Sequence, residues 1–125
     1  MKEIYELVGE ENEISAAVCV GDGFVVGLSS GMLVRYNSDV HPTWRRQGHE
    51  GEVKQLLYDS LHRLIWSLGA DGRAVAWPER NPQIEEERKV ITFNRKPVGI
   101  LSIAPSSTLL VTGQLMDHDL TLWDY

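Results

Sequence analysis

Apolar positions in this chain come in short runs, and the runs come in groups. Residues 14–20, 24–28 and 32–36 are rich in Val, Leu and other apolar side chains, and Gly21-Asp22-Gly23 and Ser29-Ser30-Gly31 separate them. Runs of this length, bounded by glycine and small polar residues, predict β-strands joined by tight turns. A loop follows at 37–42, where Asn, Ser, Asp and Pro interrupt strand pairing, and a more polar run at 43–47 predicts a fourth strand. The plan then recurs, with strands predicted at 53–58, 63–68, 73–77 and 89–94, and again at 98–104, 109–113 and 119–123. An acidic stretch containing Pro78 and Pro82 separates the third and fourth strands of the second group. The run at 3–8 stands before Gly9 as 43–47 stands before Gly48, so it reads as a fourth strand with no first three before it. No helix of ordinary length is expected. The charges at 85–88 carry no apolar stripe and read as solvated loop.

The groups also align residue by residue. His49-Glu50-Gly51-Glu52-Val53 matches Glu10-Glu11-Asn12-Glu13-Ile14, with Gly48 and Gly9 in register. Their third strands end at Tyr36, Trp77 and Trp123, spaced by 41 and 46 residues. A period near forty made only of short strands predicts a repeat architecture, in which each unit buries a face against its neighbours.

Three residues of the second unit, His49, Ser67 and Asp71, have the composition of a nucleophilic triad. Their setting argues for a structural role. Ser67 falls in the middle of an apolar strand rather than on a sharp exposed turn, and no glycine-rich oxyanion sequence flanks it. With Trp77 they make a closed chain of donors and acceptors: carboxylate to imidazole, imidazole to hydroxyl, hydroxyl to indole N–H. Such a chain lets four polar groups be buried together without orphaned partners.

Gly48-His49, Ser67, Asp71-Gly72 and Trp77 at these spacings, with Trp123-Asp124 at the end of the last unit, resemble the WD-repeat β-propeller family. The resemblance covers almost the whole chain. It implies an all-β fold of four-stranded antiparallel blades, three per chain. On this reading 1–9 supplies a strand that completes another blade, 10–48 is the first blade, 49–95 the second, and 96–125 the first three strands of the third. Only the second unit carries the full network. The first has Glu10 for His, no Asp before Gly31, and Tyr36 for Trp; the third keeps Thr112, Asp117 and Trp123 but has Asn94-Arg95 in place of Gly-His. Those two blades are expected to be held mainly by packing.

A propeller ring typically closes with about 4–8 blades, so three make only an arc. Apolar side chains around Val18, Val26 and Leu110 are expected on its two end faces. Two copies could complete a six-bladed ring with two-fold symmetry, Ile4, Tyr5 and Leu7 of one pairing beside Leu120, Leu122 and Trp123 of the other. Alternatively, the chain is a segment of a longer WD-repeat protein, or another chain supplies the remaining blades.

Composition narrows the function. The formal charge of −6 opposes binding of nucleic-acid backbone, and no partner of that kind is expected. No apolar run approaches the roughly 18 residues of a membrane span, and the acidic N-terminal stretch is unlike a signal peptide, so an intracellular, cytoplasmic protein is expected. The single cysteine, Cys19, excludes an internal disulfide and reads as a small buried hydrophobe. No metal or cofactor is expected. The resemblance implies a non-catalytic scaffold that binds partner proteins through its loops, with Glu50, Glu52, Arg95 and Lys96 as candidate contacts. Arg45-Arg46 at the end of a fourth strand loosely resembles a phosphoinositide-binding pattern of some propellers, an alternative that the net negative charge opposes.

Overall fold

The structure is a computed structural model that describes residues 13–79 in full and the strand backbones of 89–92, 98–103, 109–114 and 120–124. All regular structure among these residues is antiparallel β-sheet. Strands β1 (Ile14–Val20), β2 (Gly23–Leu28), β3 (Met32–Tyr36) and β4 (Pro42–Gln47) form a first sheet in chain order. Strands β5 (Val53–Asp59), β6 (Leu64–Gly69), β7 (Arg73–Pro78) and β8 (Lys89–Thr92) form a second. Strands β9 (Val98–Ile103), β10 (Leu109–Gln114) and β11 (Leu120–Asp124) form a third, in which β10 is central. Strand β5 lies beside β1, and β9 beside β5, so the first strand of each sheet neighbours that of the next. The strand proposed at 3–8 lies outside the described residues.

The alternation of side chains along each strand divides each sheet into two faces. In the first sheet Val20, Val25 and Leu33 share one face. They meet Val53, Leu56, Ile65, Val75 and Trp77 of the second sheet in an apolar seam. Ala16, Val18, Trp44 and Tyr58 close its margins. Removing each large apolar side chain from water stabilises the fold by roughly 1.5–3 kcal/mol. The opposite face of the first sheet gathers Val26, Leu28, Val34 and Tyr36, with Phe24 stacked on Tyr36 at a centroid distance of 5.1 Å.

Two expectations are corrected. Val26 is not exposed: it pairs with Val34 across β2–β3 and is buried among Leu28, Val34 and Tyr36. Val18 is half-buried, at the margin of the seam. Cys19, in contrast, is exposed. It sits one residue out of phase with Val18 and Val20, so the alternation that turns those two into the seam turns the thiol away from it.

The two sheets approach closely at Gly27. A Cβ there would run into the side chain of Val53 on β5, so β2 can lie against β5 only because this position has no side chain. Gly27→Ala is therefore expected to destabilise the protein by about 1–3 kcal/mol, as overpacking does. Urea unfolding followed by tryptophan fluorescence measures it, and an unchanged midpoint would show the seam to be looser than described.

Candidate functional site

The chain turns from β4 into β5 through Gly48 to Glu52, and from β6 into β7 through Ala70 to Gly72. The two connections lie at one end of the sheets and are laced together. Asp71 does most of the lacing. Its Oδ1 accepts from His49 Nδ1 at 3.0 Å and from the Arg73 amide at 3.2 Å. Its Oδ2 accepts from the Glu50 amide at 3.0 Å. The other imidazole nitrogen, His49 Nε2, lies 2.7 Å from Ser67 Oγ, and Ser67 Oγ accepts from Trp77 Nε1 at 3.0 Å. These partners define the tautomer. Nδ1–H donates to the carboxylate, which leaves Nε2 to accept the hydroxyl proton. The Val75 carbonyl, 3.4 Å from Ser67 Oγ, is the more distant acceptor for that one proton.

His49, Ser67 and Trp77 are each at most 2 % exposed. Burial disfavours the imidazolium and pushes the His49 pKa below its ordinary value, while the Asp71 carboxylate opposes the shift without reversing it. Gly69 makes room for the ring, since a Cβ there would collide with His49 and Asp71. Ser67 is wholly buried, and its hydroxyl is engaged by His49 and Trp77.

The other end of the seam holds a second polar cluster. Glu79, just past β7, is buried between the two sheets. Its Oε2 accepts from Tyr58 Oη at 2.7 Å, its Oε1 lies 3.7 Å from an Arg35 guanidinium nitrogen, and its carbonyl accepts from Trp44 Nε1 at 3.2 Å. Arg35 also reaches Asp22 at 3.1 Å. Burial, then the hydrogen bond to Glu79 and its charge, raise the Tyr58 pKa. Arg35 and Trp44 belong to the first sheet, Tyr58 and Glu79 to the second, so this cluster ties sheet to sheet. Sequence reading passed over Glu79 because it opens an acidic stretch that reads as solvated. Trp77-Pro78 just before it, a β-strand end with no free amide on the proline, was the available signal.

The remaining candidates are placed as follows. Glu50 and Glu52 are exposed beside the Asp71 turn. Leu120, Leu122 and Trp123 lie on β11, which pairs with β10 alone among the described residues. Ile4, Tyr5, Leu7, Arg95 and Lys96 lie outside the described residues. Arg45 pairs opposite Val34 and Arg46 opposite Leu33, so the two side chains leave opposite faces of β4 and do not form one basic patch. Among the described residues no group of His, Cys, Asp and Glu is arranged to hold a metal ion. No helix there is long and apolar enough to cross a membrane.

No known family's sequence profile matches the chain, and no curated protein matches it. Solved structures do. The chain is similar to a computationally designed protein, Ika8, with a TM-score of 0.74 at 19% identity over 94% of this chain and 35% of that one. It is similar to U3-55K with a TM-score of 0.78 at 15% identity over 94% of this chain and 38% of that one. The chain thus spans little more than a third of each structure it resembles. At these identities the likeness is one of fold.

Two outcomes are expected from the His49 network. Trp77→Phe leaves Ser67 without its indole donor and should cost about 1–3 kcal/mol in thermal or urea unfolding. Because the folded-state pKa of His49 is depressed, its contribution is complete above about pH 6.5 and is lost as pH falls below that value. The melting temperature should drop between pH 6.5 and 5 more steeply in the parent than in His49→Gln, and parallel curves would refute the assignment.

Proposed function

We propose that this chain forms three blades of a WD-repeat-type β-propeller and serves as a non-catalytic scaffold that binds partner proteins through the loops at the ends of its sheets. The observation that carries the reading is the buried His49–Ser67–Asp71–Trp77 network. It ties two loops and two strands together at one end of the sheets and keeps His49, Ser67 and Trp77 buried. Four-stranded antiparallel sheets laid side by side along their first strands, and the likeness in fold to structures of which the chain spans little more than a third, support it as well.

The loops around the network carry the exposed carboxylates of Glu50 and Glu52, and with Arg95 and Lys96 they are the proposed contacts. Excess acid at this end favours a basic or polar partner segment. Three blades leave a ring unfinished. A second copy is the proposed complement, its 3–8 segment with Ile4, Tyr5 and Leu7 adding to the edge of β11 that is unpaired among the described residues, beside Leu120, Leu122 and Trp123. The other sources are further blades of a longer protein or a different chain. The compartment this implies is the cytoplasm, with no cofactor, no nucleic acid and no membrane in the assembly.

Light scattering after size exclusion tests closure by a second copy. The expected mass is about twice the 14.1 kDa of one chain, and a stable monomer would contradict it. A phosphonyl probe should leave Ser67 unlabelled, and labelling there would replace the scaffold reading with an enzymatic one.

A further inference from the structure

At the end of the seam opposite His49, the two sheets part around a cleft of about 530 Å³, a volume within the range of small-molecule sites. Glu79 lines it with a side chain only 10% exposed. One carboxylate oxygen, Oε2, is spent on the Tyr58 hydroxyl. The other, Oε1, has only the Arg35 guanidinium among the described residues, at 3.7 Å, too far for a hydrogen bond. Gly21 also lines the cleft, and a Cβ there would stand 2.9 Å from Oε1, so the missing side chain leaves this oxygen uncovered. The result is a largely buried acceptor that faces a cavity.

Donors stand around it. Asn37 gives its Oδ1 to the amides of Asp39 and His41, which leaves Nδ2 to donate. Ser60 and Arg63 reach the cleft from the turn between β5 and β6. That turn is set in place: the wholly buried Asp59 accepts from the amides of Leu61 and His62, and the Arg63 carbonyl accepts from the Glu79 amide at 3.0 Å. Arg63 holds a φ of 54° there, a left-handed conformation in which Gly or Asn is the low-cost residue. Strain of this kind, held by surrounding structure, is found at ligand clamps.

The four charges of the lining, Asp22, Glu79, Arg35 and Arg63, cancel, so the cleft selects neither an anion nor a cation. An apolar ligand would cover Oε1 and the donors without partners, which is unfavourable. A hydroxyl group suits both, because it donates and accepts at once. One hydroxyl of a vicinal pair can donate to Glu79 Oε1 while its neighbour accepts from Arg63, Ser60 or Asn37. Tyr58, its own hydroxyl engaged, adds an aromatic surface against which C–H groups can pack. We infer that this cleft is a second binding site, distinct from the loops around His49, for a neutral polyhydroxyl ligand of monosaccharide size. Glu79 Oε1 is its acceptor, and Arg63, Ser60 and Asn37 Nδ2 are its donors. The inference is independent of how the ring is closed.

Saturation-transfer NMR titrations of the whole 125-residue chain test it, with glucose, galactose and mannose as neutral probes and glucuronate, glucosamine and glycine as charged or zwitterionic ones. At least one hexose should bind with a Kd of about 1 mM, the scale of a small ligand held by a few hydrogen bonds. None of the three charged probes should bind more tightly than that hexose. Arg63→Gly removes a donor from a backbone geometry that glycine adopts freely, so it should weaken binding about tenfold while the melting temperature stays level or rises. Ser60→Ala should weaken binding about threefold. The inference is overturned if no hexose responds, if a charged probe binds more tightly than every hexose, or if both variants bind as the parent does.

Discussion

Val25 and Leu33 of the first sheet, packed against Ile65, Val75 and Trp77 of the second, form the contact on which the other features depend. A single antiparallel sheet of four strands has two faces and no third layer of its own to cover them. Here one face of each sheet covers the other. The seam is largely apolar in its middle and polar at both ends, and each end is closed by a carboxylate engaged by several partners: Asp71 at one, Glu79 at the other.

The two ends work differently. Asp71 and His49 lock the loops of the second sheet to its own strands, through Ser67 and Trp77. Glu79 reaches across and holds Arg35 and Trp44 of the first sheet. Buried charges add little net stability beyond what an apolar replacement would give, but breaking one partner is costly. Glu79 thus restricts the two sheets to one relative position, while Asp71 fixes the loops at the other end of the second sheet.

Much of this is legible in the sequence, for a physical reason. Strands here are short and bounded by glycine-rich turns, so their positions follow from composition; β3, for example, spans the same residues in the sequence reading and in the structure. His49, Ser67, Asp71 and Trp77 stand out because each is a polar or amphipathic residue at a fixed offset in an otherwise apolar unit. Glu79 does not stand out because it opens an acidic stretch, and Arg35 because a lone charge in an apolar strand reads as a solvent-facing position; their pairing joins units that are distant in the chain. The sequence pattern starts a strand at Arg63, whereas that residue closes the turn before Leu64. Sequence pattern cannot register a left-handed backbone on a residue that seldom adopts one. The exposure of Cys19 follows from strand phase, which composition alone leaves open.

If the seam is the element that makes separate sheets one protein, neither sheet can open alone. Native-state hydrogen exchange measures this directly at Val25 and Leu33 in the first sheet and Trp66 and Val75 in the second, all wholly buried strand residues. The account predicts a common opening free energy and a common denaturant slope for both sets of amides, with Gly27→Ala lowering them together. Exchange of the first sheet through a smaller, separate opening, unaffected by that substitution, would contradict it.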